Sequence, residues 1–131
     1  MTPESPNDPS EVIRVGETPA PAAADTAAIR RSYAAVLARI HAAAQRAGRD
    51  AAEIALVAVS KGKPLEVVET LYRSGHREFG ENRVEEGSEK THAARRRFAP
   101  EVDAITWHMI GHVQSRKARL AAADFDYIQS V

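Results

Sequence analysis

The sequence predicts an α/β fold in which parallel strands alternate with helices, and two patterns support this prediction. The segment from Ile54 to Val59 is a continuous apolar run, as expected of a strand that is covered on both faces in a parallel sheet. Three segments of strand character are each followed by a segment of helical periodicity. Alternation of this kind implies parallel strands that are joined by right-handed crossovers.

The first 24 residues contain five of the seven prolines and few large apolar side chains. Such a segment cannot bury enough apolar surface to offset the entropy that is lost on ordering, so we expect residues 1–24 to be a disordered tail. The remaining residues, 25–131, are expected to form a single domain, since a chain of 131 residues has room for one.

The first ordered element is predicted to be a helix that begins at Asp25 or Thr26 and ends at Gly48. Asp and Thr are favoured N-cap residues, and Gly is favoured just after the last helical turn. An apolar stripe with spacings of three and four runs along this helix, formed by Ile29, Tyr33, Leu37, Ile40 and Ala44 and widened by Val36. This stripe is expected to pack on the strand that follows.

The later elements are bounded by Gly and Pro residues. After the strand at 54–59, Pro64 is placed to open a helix that Gly75 ends, and Pro100 ends the third helix. The remaining predicted elements are a strand at 76–80, a helix at 82–98, a strand at 105–110, a helix at 115–123 and a strand at 127–131. The order is therefore one helix, three strand–helix units and a fourth strand.

This order fits either an open doubly wound sheet or a barrel. No G-x-G-x-x-G motif follows the first strand, so nothing supports a dinucleotide-binding fold. A complete barrel of eight strand–helix units needs about 200 residues or more. The sequence therefore predicts either a compact four-stranded sheet or part of a larger barrel.

Composition excludes several classes of function. Lys plus Arg and Asp plus Glu both total 18, so no net charge draws the protein to nucleic acid or to an anionic membrane. The run at 95–97 is interpreted as three arginines at a helix end rather than as an RNA contact. The chain has no cysteine, which excludes disulfides and thiolate chemistry. Neither a membrane span of about 20 residues nor a secretory signal is evident, so we predict a cytoplasmic protein without nucleic-acid or membrane partners.

Lys61 lies at the carboxyl end of the first strand, where the active sites of such folds assemble. Because side chains alternate along a strand, Val57, Val59 and Lys61 are expected to share one face of the sheet. Partial desolvation there would lower the pKa of the lysine from about 10.4, and the neutral amine could then condense with an aldehyde. The alternative is that Lys61 is a solvated lysine at a strand end.

The next two strand ends carry further candidates. Gly80 permits the close approach of a ligand, and Asn82 could hydrogen-bond a ligand oxygen, although Asn82 could equally be the N-cap of the next helix. His108 and His112 share strand parity and are expected to face the same side as Lys61. At four residues apart on a strand they are roughly 13 Å apart, which is too far to share a metal ion. We therefore reject a metal site.

Taken together, these strand ends resemble the YggS/PROSC family of pyridoxal phosphate homeostasis proteins. The matching segments are Val-Ser-Lys-Gly-Lys-Pro (59–64), Phe-Gly-Glu-Asn (79–82) and Trp-His-Met-Ile-Gly-His-Val-Gln-Ser-Arg-Lys (107–117). They stand in family order, each at the end of a predicted strand, and the resemblance covers residues 25–131.

The resemblance implies a barrel of the alanine-racemase N-terminal type, so that residues 25–131 are the first half of a (β/α)8 TIM-type barrel. It implies that the protein binds pyridoxal 5′-phosphate (PLP) as a Schiff base on Lys61, with Asn82 and His108 lining the cofactor. It also implies a role in intracellular PLP homeostasis without catalytic turnover.

The sequence also departs from the family pattern. The family barrel is about twice as long as the matched part, and its phosphate-binding Ser-Gly and Gly-Ser-Thr-type segments have no counterpart here. The resemblance thus implies a truncated chain of reduced affinity for PLP. The family barrel is expected to be monomeric, whereas the truncated chain is expected to self-associate through open edge strands. A PLP-dependent racemase-like enzyme and a non-functional fragment stay as alternatives.

Overall fold

The computed structural model describes residues 23–101 and 104–130. The predicted tail therefore falls almost entirely outside the described residues. The helices are α1 (Ala23–Arg46), α2 (Leu65–Arg73), α3 (Val84–Arg97) and α4 (Ala118–Asp124), and the strands are β1 (Ala58–Val59), β2 (Glu78–Glu81), β3 (Thr106–Met109) and β4 (Tyr127–Ile128). Short 3₁₀ turns at Ala51–Glu53 and Ser115–Lys117 precede β1 and α4. None of the helices in the described ranges is long and apolar enough to cross a bilayer.

The sheet has the strand order β1-β2-β3-β4, and all three pairings are parallel. Right-handed crossovers that all advance in the same direction place every connecting helix on one face of the sheet. Consecutive units of a TIM-type barrel are arranged in this way, whereas a doubly wound sheet reverses direction and carries helices on both faces. The predicted fold class, half of a TIM-type barrel, is confirmed.

The two faces of the sheet have different surroundings. The helix face carries the core, which consists of Phe79, Trp107 and Met109 from the strands and Val68, Val84, Ala94, Ala121 and Phe125 from the helices and their ends, with Ala99 and Ile105 between α3 and β3. The opposite face, called the open face below, carries the register row Val59, Gly80, His108 and Tyr127. Val59 is 48% exposed and Tyr127 is 58% exposed. Within the described residues, no layer covers the open face.

The first helix packs chiefly on α2 rather than on β1, the strand that was expected to cover it, although its apolar stripe is buried largely as the spacing predicts. The stripe residues Ile29, Tyr33, Leu37 and Ile40 are half-buried, and Ala44 is buried. Val36 is 38% exposed, so the prediction that it widens the stripe is wrong. The predicted N-cap at Asp25 or Thr26 is also wrong, because α1 already begins at Ala23.

The two glycines that were predicted to end helices do so. Gly48 follows α1 with φ +67° and Gly75 follows α2 with φ +101°, a left-handed backbone that glycine adopts without strain. After α1, the N–H of Arg49 donates to the carbonyl of Ala44 at 2.8 Å, as in a Schellman motif.

The strands at the two edges are shorter than predicted. The predicted strand at 54–59 is reduced to Ala58–Val59, and the predicted strand at 127–131 to Tyr127–Ile128. An edge strand can hydrogen-bond on one side only, and β2, the neighbour of β1, begins at Glu78. In this register Val57 lies opposite Glu78, so the residues before Val57 have no ladder partner in the described sheet.

Candidate functional site

Lys61 lies in the tight turn that follows β1. Ser60 is buried, with 4% exposure, whereas Lys61 and Gly62 are exposed. The N–H of Lys63 donates to the carbonyl of Ser60 at 3.1 Å and closes the turn, and Gly62 supplies the left-handed residue that the turn requires, with φ +68°. The partial desolvation that was expected of Lys61 is not seen in the described structure. Its amine has no hydrogen-bond or ion-pair partner among the described residues, so it is accessible to a ligand.

Gly80 lies in the middle of the open face, between Val59 and His108. A Cβ atom at this position would lie 3.0 Å from Cγ1 of Val57 and 3.5 Å from Cγ2 of Ile110. The side chains of Val57 and Ile110 therefore close over Gly80, which is buried although it lies on the open face. Glycine allows these two side chains to approach the backbone at this point.

His108 is on the open face, as its strand parity predicts, and it is held there by polar neighbours. Its Nε2 lies 2.9 Å from Oε1 of Glu78, and its Nδ1 lies 2.8 Å from Nε2 of Gln129. The ring of Tyr127 stacks on the imidazole with centroids 5.0 Å apart and 14° between the planes. An amide N–H donates to Nδ1, so the imidazole donates from Nε2 to the carboxylate. Both nitrogens are thus occupied by protein partners.

Glu78, Gln129 and Tyr127 were not predicted as site residues from the sequence. Strand parity was the signal that could have found them. Glu78 is two residues before Gly80, and Tyr127 and Gln129 are two residues apart at the last strand.

Asn82 is half-buried at the end of β2, and it is not a helix N-cap, because Arg83 occupies that position. Together with Arg83, Glu85, His112, Gln114, Arg116 and Lys117, it lines a cavity of about 220 Å³. A Cβ atom at Gly111 would lie 2.0 Å from the carbonyl oxygen of Asn82, so only glycine allows the ends of β2 and β3 to approach so closely. The amide of Asn82 has no partner among the described side chains and is available to a ligand.

The two histidines of the third motif are separated by the structure. His108 lies on the sheet, and the exposed His112 lines the cavity beside Asn82. Within residues 23–101 and 104–130 there is no group of three or more metal-ligating side chains.

A buried polar network lies on the opposite side of the Lys61 turn, beneath α3. The ammonium of Lys90 contacts the carbonyl of Ser60 at 2.6 Å, Oε2 of Glu81 at 3.1 Å and Oε2 of Glu86 at 3.4 Å. The hydroxyl of Ser60 donates to the same oxygen of Glu81. Burial raises the pKa of the Glu81 carboxyl, against the opposing effects of the Ser60 hydroxyl and the Lys90 charge. Neither Lys90 nor Glu86 was predicted from the sequence to have a role.

The fold and the site together define a class of protein, namely parallel α/β barrels, here represented in part, with a lysine at the carboxyl end of the first strand. Comparison with known proteins then specifies the family. Pyridoxal phosphate homeostasis proteins match this chain at 42% identity over 104 residues in Escherichia coli K12, 40% over 106 in Vibrio cholerae and 43% over 103 in Pseudomonas aeruginosa. Each alignment covers 79% of this chain and 42–43% of the relative. The chain belongs to the pyridoxal phosphate homeostasis family, YggS/PROSC.

Solved structures agree with this assignment. An unknown protein from Bifidobacterium adolescentis superposes with a TM-score of 0.78 at 32% identity, over 85% of this chain and 47% of that one. PipY of Synechococcus elongatus PCC7942, solved with PLP bound, superposes with a TM-score of 0.54 at 35% identity, over 72% of this chain and 42% of PipY. No protein-family model matches the chain. The chain spans less than half the length of the curated relatives that it matches.

Proposed function

We propose that this protein binds PLP as a Schiff base on Lys61 and that it serves intracellular PLP homeostasis. The observation that carries the proposal is the exposed amine of Lys61, which is unpaired among the described residues and follows a strand that borders the open face. Val59 lies on the side of Gly80 and His108, and strand alternation carried two residues further would direct the amine of Lys61 to the same side. The PLP-bound structure of PipY supports the choice of ligand.

PLP supplies an aldehyde that a primary amine can capture. The neutral amine of Lys61 adds to the aldehyde carbon, and a C=N bond replaces the C=O bond. The carbonyl oxygen leaves as water with the two protons that the amine nitrogen loses. The step is a condensation, so it needs no oxidant or reductant, and water reverses it. A reversible bond suits a protein that stores and releases the cofactor.

Asn82 and His108 are proposed to line the cofactor in different ways. The free amide of Asn82 can donate to or accept from a ligand oxygen. His108 has both ring nitrogens engaged by Glu78 and Gln129, so we assign it a positional role on the open face rather than a role in proton transfer.

We propose a carrier rather than an enzyme, in keeping with the pyridoxal phosphate homeostasis proteins that the chain matches. Racemisation needs an acid/base group that is free to move a proton beside the Schiff base. His108 lies on the open face, but both of its ring nitrogens are hydrogen-bonded to Glu78 and Gln129. No exchange of the α-proton of an added amino acid in deuterated water is therefore expected.

The proposal is tested by adding PLP and recording the visible absorbance of the Schiff base. Reduction with borohydride fixes the bond, and peptide mass spectrometry should locate it at Lys61. Lys61→Ala should abolish the band, while Lys63→Ala, which removes another exposed lysine of the same turn, should retain it. A wild-type protein without the band, or a Lys61→Ala variant that keeps it, refutes the proposal.

A further inference from the structure

The buried network beneath α3 contacts both neighbours of Lys61. On one side, Ser60 is held through its hydroxyl by Glu81 and through its carbonyl by the ammonium of Lys90 at 2.6 Å. On the other side, the N–H of Gly62 donates to Oε2 of Glu86 at 2.7 Å. Lys61 lies between these two anchored positions, and its side chain makes no contact with the network.

The network joins three elements at one point. Glu81 ends β2, Lys90 and Glu86 lie one turn apart on α3, and Ser60 follows β1. The side chain of Lys90 is 8% exposed and that of Glu81 is fully buried. Since α3 is packed on the sheet, its side chains hold the turn after β1 in a fixed position relative to β2. Anchoring by a helix is stiffer than anchoring by the turn alone.

Stability alone is a poor explanation for this arrangement. Burying charged groups costs free energy, and a packed apolar replacement is often equally stable or more stable. The network also leaves Oε1 of Glu81 buried without a partner among the described residues, which adds a desolvation cost. Because this free-energy cost falls next to the candidate Schiff-base lysine, a role of the network in positioning that lysine is favoured.

We propose that Glu81, Glu86 and Lys90 are positioning residues that fix the backbone of the Ser60–Gly62 turn and so present the Lys61 amine to the cofactor aldehyde. The inference rests on the proposed function, because it assigns these residues to the Schiff-base lysine. Glu86 is the most direct of the three to test. It holds the turn through one hydrogen bond to the backbone, and its side chain is 28% exposed, so its replacement is compatible with folding.

The test compares Glu86→Ala with Glu86→Gln in the full chain. Alanine removes the acceptor for the Gly62 N–H, whereas glutamine keeps an acceptor oxygen and loses only the charge. We expect Glu86→Ala to weaken PLP binding about tenfold, measured by titrating the visible band, because a small misplacement of a reacting group is costly. Glu86→Gln should stay within about twofold of the wild type, since its hydrogen bond is retained.

Glu69→Ala is the matched control. Glu69 is also a helical glutamate, its side chain is 25% exposed, and it pairs with Arg73 at i+4, as Glu86 pairs with Lys90. It does not contact the Lys61 turn, so its loss should leave PLP binding unchanged. Hydrogen exchange without PLP gives a second readout. The Gly62 amide should be protected in the wild type and in Glu69→Ala, and it should exchange faster in Glu86→Ala.

The outcomes separate the two proposals. A wild-type band that is lost in Lys61→Ala but unchanged in Glu86→Ala overturns the positioning role and leaves the Schiff base standing. An unprotected Gly62 amide in the wild type, or equal losses in Glu86→Gln and Glu86→Ala, also overturns it. A wild type without the band overturns both.

Discussion

Tyr33 connects α1 to the sheet through its hydroxyl, and Tyr33→Phe tests whether this connection contributes to stability. The hydroxyl lies 3.1 Å from Nδ1 of His76, whose Nε2 lies 2.5 Å from the carbonyl of Glu78. Since the carbonyl can only accept, the imidazole donates from Nε2 and Nδ1 accepts from the tyrosine. The rings of Tyr33 and His76 also meet edge to face at 5.2 Å, a contact that phenylalanine preserves.

The expected loss follows from what remains after the substitution. A neutral side-chain hydrogen bond contributes about 1 kcal/mol, and a buried acceptor that is left unpaired costs roughly 1–3 kcal/mol. His76 is 7% exposed but Tyr33 is only half-buried, so water can partly replace the hydroxyl. We therefore expect the free energy of unfolding to fall by about 1–2 kcal/mol, and the melting temperature by about 5 °C or more.

Urea unfolding followed by circular dichroism measures this loss. Tyr72→Phe is the control, because Tyr72 is also half-buried and packs on an aromatic ring, Phe98, at 5.2 Å. Its hydroxyl makes no hydrogen bond within the described residues, so its loss should cost less than about 0.5 kcal/mol. Equal losses in the two variants, or none in Tyr33→Phe, would show that the Tyr33–His76 hydrogen bond does not hold α1.

Three further predictions follow from other contacts. Burial lowers the pKa of His76 from its ordinary value of 6.5, so the unfolded chain binds the proton more readily than the folded one. The contribution of His76 to stability should therefore be complete above pH 6.5 and decrease as the pH falls below 6.5. Urea unfolding across a pH series should show a smaller decrease in His76→Gln than in the wild type. Gly111→Ala places a Cβ atom 2.0 Å from the Asn82 carbonyl oxygen and should lower the free energy of unfolding by about 2 kcal/mol or more. At Gly48 a Cβ atom would meet nothing within 4 Å, but the backbone has φ +67°. Gly48→Ala should therefore lower the free energy of unfolding by about 1 kcal/mol in the same assay. The exposed edge strands β1 and β4 should let the chain self-associate, which sedimentation at increasing concentration would show as a rising mass and a constant monomer mass would refute.

The fold was predictable because its signals are local. The apolar run at 54–59, the helix-ending glycines at 48 and 75 and the alternation of elements each depend on neighbouring residues, and together they gave the parallel sheet. The lengths of the edge strands were not predictable in the same way. Whether a residue such as Leu56 joins the ladder depends on where its partner strand begins, and no pattern within β1 reports where β2 starts.

The candidate site was likewise predictable only where local sequence patterns determine it. Strand parity predicted that His108 faces the side of Lys61, and the motif at 59–64 singled out Lys61. The exposure of Lys61 was not predictable, because it depends on what covers the open face. The partners of His108 come from the first residue of β2 and from the segment after β4, and the register that brings them together appears only once the sheet is assembled.

The end of β1 shows why strand parity identifies the residue that faces a ligand but not the residues that hold its neighbour. Consecutive residues point to opposite faces, so a motif that sends Lys61 toward a ligand must send Ser60 toward the helices. There its hydroxyl meets Glu81 of β2, and its carbonyl is contacted by an element that crosses over the sheet. That element is α3, and Lys90 lies 30 residues from Ser60 in sequence. If the inference on Glu86 holds, strand-end lysines in folds of this type are best examined together with the buried partners of the residue before them, since those partners set where the amine is presented.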